Sequence, residues 1–387
     1  MPARPRVSLL VHDLASNPIV RAAPLAAALA EDFDVQVLGI SIGGRGVYAP
    51  FAGRFPYVVV PAGRRLPSVL AAAARLSRLA TGDVLYACKP LLTTLAPALA
   101  APGRRPVLLD VEDDEWASRT VDDTGHGPRA LLRRARDVHG LLARAAHPLT
   151  RRAVAVTVVS RRLQARYGGT IVRHGPDERA FDPGRAELAD RAALRARFGL
   201  SAAGPVAVFA GVPRPHKGWE TLIEALARPE AAAWTLAAAG NRGGPWYDAA
   251  RAALGPRFVS LGAVHQAEMP ALLAAADAVP VPQRPGPVAE AQVPAKALEA
   301  MAMAVPVVGT AVGDLPELLG DGRGWIVPPG DAAALAGALA MIAADPAEAA
   351  RRGAAARAWY LAEASVSAIR ARLVPLVHAV LAGRGTP

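Results

Sequence analysis

Residues 290–310 read EAQVPAKALEAMAMAVPVVGT, and this stretch decides the fold class. Its composition passes from loop to helix to buried strand. Pro294 suits a first helical turn, where a missing N–H costs nothing. Ala, Leu and Met then favour helix, and Pro306 ends it. Val305, Val307 and Val308 lack polar alternation, as expected of a strand covered on both faces. A helix start fed by a tight loop gathers unpaired N–H groups and partial positive charge, which suits a phosphate. Glu299 falls about a turn and a half beyond Pro294, within reach of a sugar hydroxyl beside such a phosphate.

Working outward, strands and helices alternate on both sides of this stretch. Before it, strand 206–210 leads through GVPRPHKG to helix 219–227. Strand 234–239 runs into GNRGG, and strand 258–261 into GAVH. Nearer the N-terminus, strands are expected at 7–11, 35–40, 57–60, 84–87 and 107–111. Helices are expected from Pro18 to about residue 31, with Asn17 as N-cap, and at 67–80 and 91–100. Strands follow at 154–159 and 170–172. The turn-rich RHGPDERAFDPG reads as a linker. Such alternation predicts an α/β chain of two doubly wound Rossmann-like domains facing across a cleft, 1–176 and 177–365. Residues 366–387 are expected to pack back on the first domain. Ligands of these sheets bind outside the carboxyl ends of the strands. That places His12, Asp13, Gly43, Gly44 and the acidic run Glu112, Asp113, Asp114, Glu115 around one cleft, with Asn17 beside them.

Lys and Arg outnumber Asp and Glu by 44 to 33 in 387 residues, a formal +11. The excess favours anionic partners, although an Ala- and Arg-heavy chain also follows from GC-rich coding. Nucleic acid is not expected: aromatics are 5% and the charge is not gathered in tails. A single cysteine, Cys88, excludes an internal disulfide, and no cysteine-based metal site is evident. The apolar start is too short for a signal peptide, and no apolar run reaches the ~18–20 residues of a span. The reading is a soluble cytoplasmic protein. Between Arg129 and Arg152, Leu131, Leu132, Ala135, Val138, Leu142 and Ala145 share one helical face, with Arg133, Arg136, Arg144 and Arg151 mostly away from it. Two readings stand: a solvated surface helix, or a helix that binds the acceptor or makes a peripheral contact with the inner face of a membrane.

The loop opened by Gly211 carries Arg214 and Lys217 ahead of a helix. Two cations there suit a diphosphate, the Arg as a fork and the Lys as a point charge. A pair of exposed cations on a turn is the plain alternative. The glycine loop at Gly240, the turn reaching Val264, the loop before Pro294 and Glu299 weigh against it. All fall on one sheet edge and together describe a nucleotide-diphosphate site.

The ordered series VVSRRLQARYGG, IVRHGPDERAFDP, VFAGVPRPHKGWETLIEAL, LEAMAMAVPVVGTAVGDLPELL and GWIVPPGD spans nearly the whole chain. It resembles the GT-B type retaining glycosyltransferases of family four, the glycosyl transferases of group 1. The resemblance implies transfer of a hexose-type sugar from a nucleotide-diphosphate donor to an acceptor hydroxyl with retention, using no metal or other cofactor. It implies that Arg214 and Lys217 hold the diphosphate, that Glu299 binds the ribose hydroxyls, and that the turn near Val264 meets the base. The acceptor would be a lipid-linked glycan, a polysaccharide or a small natural product. Two departures stand out. The family pattern has two glutamates separated by seven residues. Counting back from Glu299 gives Ala291, and the nearest acid is Glu290. Gln292 and Lys296 are new polar candidates between them, and whether a shifted loop brings Glu290 to the transferred sugar stays open. Where many relatives have a histidine after the strand at 107–111, this chain has LDVEDDEW. There Asp113 or Asp114 would position the acceptor hydroxyl, or the carboxylates only close a turn. A nucleotide-sugar epimerase of the same fold and a non-catalytic nucleotide-sugar-binding protein are the alternatives.

Overall fold

The computed structural model describes residues 4–115, 138–240 and 242–383. Its contacts divide the chain into two units, Met1–His174 with Val366–Pro387, and Gly175–Ser365.

The first unit holds β1 (Arg6–Val11), β2 (Asp34–Ile42), β3 (Tyr57–Ala62), β4 (Val84–Cys88), β5 (Val107–Val111), β6 (Ala155–Val158) and β7 (Thr170–Ile171). They form one parallel sheet in the order β3-β2-β1-β4-β5-β6-β7. VLYAC of β4 and VLLDV of β5 are buried at every position, which explains their near-continuous apolar runs. The one acid among them, Asp110, accepts from the buried Arg21 at 2.9 and 2.6 Å. The helix Val366–Leu381 packs on the helix Pro18–Leu29, burying Ile369, Leu373 and Val377 against Ile19, Leu25 and Leu29.

The second unit holds β8 (Val206–Ala210), β9 (Thr235–Ala239), β10 (Phe258–Gly262), β11 (Val279–Val281), β12 (Val307–Thr310) and β13 (Trp325–Val327). Two three-stranded pieces, β10-β9-β8 and β11-β12-β13, meet at a parallel bridge between Ala207 and Ala278. The result is a second parallel sheet whose order reverses between β8 and β11. Each unit is thus a doubly wound, Rossmann-like sheet with its switch point beside its first strand. An aromatic cluster seals one face of the second: the Trp219 ring stacks on Tyr247 at 5.4 Å and meets Phe209 edge-on at 5.0 Å.

Several local expectations are corrected. Pro294 is the N-cap (φ −66, ψ 114), and the helix is Ala295–Ala302. Val305 is not in a strand. Ala304 turns left-handed at φ 55, and the Val305 N–H returns to the Ala300 carbonyl at 2.9 Å, so β12 starts only at Val307. Glu290 lies not in a loop but on the short helix Pro287–Ala291. Asn17 sits at the expected N-cap position with helical backbone and no side-chain cap bond. The expected helix 91–100 shrinks to Leu95–Leu99. Of the basic segment, the structure shows the helix Val138–Ala146 and the 3-10 turn His147–Arg152. The expectations for Leu131, Leu132, Arg133, Ala135 and Arg136 lie outside the described residues. The stretch Pro346–Leu381 is long and apolar enough to cross a membrane by length and composition, contrary to the sequence reading. Its later half is committed to the first unit's core, as the contacts of Ile369 and Val377 show.

Candidate functional site

The carboxyl edge of the second sheet is floored by bare backbone. The Gly211 N–H donates to the Ala239 carbonyl at 2.8 Å, and the Gly240 N–H to the Gly262 carbonyl at 2.7 Å. These bonds lace the loops after β8, β9 and β10 side by side. A Cβ on Gly240 would stand 2.8 Å from the Gly211 carbonyl oxygen, and one on Gly211 would stand 3.3 Å from Lys217 Nζ. The chain then makes a 3-10 turn, Pro215–Lys217, and leaves it through Gly218 in the left-handed region, φ 65 and ψ 34. A side chain there would collide with the Pro282 carbonyl. This turn points Lys217 back at its own loop, where Nζ donates to the Val212 carbonyl at 3.1 Å. Lys296 enters from the first turn of Ala295–Ala302 and sets Nζ 3.4 Å from the Phe209 ring centroid.

These cations lack compensation. Burial, then the neighbouring Arg214, lowers Lys217 from its ordinary value to about 8. Burial, then Lys217, holds Lys296 well below the usual lysine range, and Glu299 opposes the shift only in part. Among the described residues neither lysine has a carboxylate in ion-pair contact. At the end of the row, burial raises Glu299 above the usual carboxylate range. Gln266 Nε2 donates to Glu299 Oε1 at 3.1 Å and works against that rise. An anion lying beside Lys217 and Lys296, with Arg214 next to them, would relieve both lysines.

Glu290 and Gln292 reach the same edge from the segment between β11 and the helix Ala295–Ala302. Gly313, φ 55, brings the loop after β12 so close that a Cβ would stand 3.3 Å from Glu290 Cα. The Gln292 N–H closes the short helix on the Val288 carbonyl at 3.1 Å. Val264 lies half-buried in the turn after β10. Among the described residues no three His, Cys, Asp or Glu side chains form a group that could hold a metal ion.

The first unit's edge is built differently. His12 Nδ1 pairs with Thr93 Oγ1 at 2.7 Å. Burial lowers His12 to about 4, so it is neutral at physiological pH. Asp13 shapes its own loop by accepting from the Ala15 and Ile42 N–H groups and from Ser16 Oγ. Gly43 and Gly44 are exposed after β2, with φ 79 and 69, and Asn17 is exposed at the start of its helix. Lys89 follows β4 with φ 79, which is uncommon for a residue with a side chain. Its ammonium lies 2.7 Å from Glu115, 2.9 Å from Asp113 and 3.6 Å from Glu112. Asp114 is buried against Arg166 at 2.5 Å, and Glu115 also meets His139 Nε2 at 2.5 Å. The His139 ring stands edge-on to His12, 5.3 Å between centroids. Asp113 and Asp114 are therefore both engaged in ion pairs. Burial raises the Glu112 carboxyl to about 7, and its buried Oε2 has no hydrogen-bond partner. Sequence reasoning missed Lys89, His139, Arg166, Gln266 and Phe209. Only Lys89, a cation directly after a buried strand, left a signal that could have been used.

Residues 204–345 match the family described as Glycosyl transferases group 1. The chain is 31% identical over 231 residues to the 2-deoxystreptamine glucosyltransferase of Streptomyces kanamyceticus, covering 56% of this chain and 58% of that one. It is 32% identical over 219 residues to the GDP-mannose-dependent alpha-(1-6)-phosphatidylinositol monomannoside mannosyltransferase of Mycolicibacterium smegmatis, covering 53% and 57%. The matches thus span somewhat more than half the length of these two curated relatives. HepE of Anabaena, solved with UDP and glucose, superposes with a TM-score of 0.74 at 20% identity, covering 97% of this chain and 100% of that one. Residues 204–345 therefore belong to the glycosyl transferases of group 1, in a chain with the fold of the GT-B glycosyltransferases.

Proposed function

We propose that the protein transfers a hexose from a nucleotide-diphosphate donor to an acceptor hydroxyl, with retention of configuration and without a metal ion. One observation carries this reading: the buried Lys217 and Lys296, neither in ion-pair contact with a carboxylate among the described residues, lie in a row with Arg214 and Glu299 above glycine loops. In it, the turn at Val264 meets the base and Glu299 accepts from the ribose. The diphosphate lies along the three cations and the free N–H groups that open the helix Ala295–Ala302. As the bond to the diphosphate breaks, negative charge grows on the leaving phosphate. Fixed cations and the helix dipole stabilise it there, which is where preorganised charge has most effect. Glu290 is the group offered to the transferred sugar. The two relatives are named as glucosyl and mannosyl transferases, in keeping with a hexose.

In the same reading the acceptor is a glycan, a lipid-linked sugar or a small natural product, held at the first unit's edge by His12, Asn17, Gly43 and Gly44. The protein works in the cytoplasm. The segment between Arg129 and Arg152, where Leu141 is 42% exposed, touches the inner face of the membrane. The first test is thermal unfolding with UDP, GDP, ADP and dTDP, with and without EDTA. At least one should raise the melting temperature through linkage, equally in both conditions. No shift with any of them would overturn the reading.

A further inference from the structure

Glu299 occupies a difficult position for a carboxylate. Its neighbours Ala297, Leu298, Ala300 and Met301 on the same helix are buried, and burial disfavours its charged form. Among the described residues two groups face it, Lys296 and Gln266. Lys296 opposes the effect of burial on Glu299 less than Gln266 does, and its own ammonium is disfavoured by burial and by Lys217. The direct contact is the Gln266 amide, donating to Oε1 at 3.1 Å. Gln266 starts the 3-10 turn Gln266–Glu268, just beyond the turn that holds Val264. His265 Nδ1 fixes that turn by accepting from the Ala267 N–H at 3.2 Å. One side-chain bond thus ties the turn after β10 to the helix that carries Glu299. The terminal torsion of a glutamate is broad. A donor on Oε1 sets the carboxylate plane and leaves the remaining lone pairs, those of Oε2 above all, free to accept.

We propose that Gln266 is a positioning residue that aims the Glu299 carboxylate at the 2′- and 3′-hydroxyls of a nucleoside diphosphate, so that the site selects ribonucleotides over their deoxy forms. This rests on the nucleotide-diphosphate reading above. A ribose presents two adjacent O–H donors to one oriented carboxylate, and a deoxyribose presents one.

The test is calorimetric titration of the full chain with UDP, GDP and ADP, and with the 2′-deoxy and 3′-deoxy forms of each. Wild type should prefer the ribonucleotide by about tenfold, the effect of one charge-assisted hydrogen bond. Gln266→Met keeps the side-chain volume and removes the donor. It should weaken the ribonucleotide about five- to tenfold and the deoxy forms less than about twofold, so the preference collapses. Its ribonucleotide affinity should also be lost at a higher pH than that of wild type as the solution is acidified, because without the amide nothing but Lys296 opposes the rise that burial imposes on the carboxyl. In turnover, the donor KM should rise with kcat unchanged. Gln266→Asn, made in parallel, covers the case in which the Met variant fails to fold. Equal weakening of ribo and deoxy forms by either variant would overturn the proposal. So would equal wild-type affinity for both forms, with no variant needed. Failure of every nucleotide to bind wild type would instead remove the nucleotide reading itself.

Discussion

At the carboxyl edge of the first unit's sheet Lys89 is met by three carboxylates, whereas at the same edge of the second unit Lys217 and Lys296 face each other. The strand plan is shared, since the strand order of both parallel sheets reverses beside their first strand. The difference lies in how each buried charge is answered. Carboxylates hold Lys89 well above its ordinary pKa despite burial, while burial and like charge hold Lys296 well below. A compensated network holds loops in place. An uncompensated one is held by the rest of the fold in a state that a ligand improves.

The same substitution in the two units should therefore act in opposite ways. Lys89→Met leaves Glu112, Asp113 and Glu115 crowded without their cation. Removing one partner of a buried ion group destabilises by about 3–5 kcal/mol. A drop of that size in the first unit's unfolding, followed by calorimetry, is expected. A change within experimental error would break the contrast.

Next in size is the paired reversal Arg214→Glu with Lys217→Glu. Each charge-assisted contact to a phosphate contributes about 1.5–3 kcal/mol, so nucleoside diphosphate affinity should fall at least about 100-fold. Intact affinity would show that the cationic row does not hold the diphosphate. Smaller again is Lys296→Met. Replacing an unpaired buried charge by an apolar side chain of similar volume should leave stability unchanged or raised. Affinity for the diphosphate should drop about tenfold, the loss of one contact at the lower end of its range. A destabilisation matching that of Lys89→Met would mean that the two edges are built alike.

The sheet plan was legible because buried parallel strands write themselves as short apolar runs between helix formers, as in VLYAC and VLLDV. The glycine loops and the RPHKG turn were legible for a related reason: only glycine tolerates the approach of Pro282 at Gly218. The seats of the charges were not. Lys296 rests on Phe209 and Glu299 on Gln266, pairs that come together only when the sheet closes. Lys89, Glu115 and His139 likewise meet from β4, the loop after β5 and a later helix. The helix Pro287–Ala291, which carries Glu290, has a proline start and helix-forming Ala and Glu. At its length it is far below what nucleates alone, so the tertiary setting decides it.

The comparison is sharpened most finely by an effect in which affinity and stability move in opposite directions with pH. Lys217 titrates near 8 in the folded protein and at its ordinary 10.5 when unfolded. Its folded value is depressed, so the unfolded state holds more protons between about pH 8 and about pH 10.5. The penalty of burying this charge is therefore fully present below about 8 and fades as pH rises through that window. Its contribution makes the ligand-free protein gain stability there. Affinity for a nucleoside diphosphate should fall over the same window, by at most about tenfold per pH unit, because the complex must then regain the proton. Lys217→Gln should flatten both slopes. Lys89 adds no such gain: its shift is upward, so it remains charged in the folded protein and lowers stability only as the unfolded lysine titrates near 10.5. If the Gln variant kept the decline in affinity, the titrating group would lie elsewhere, and the row of cations would lose its central member.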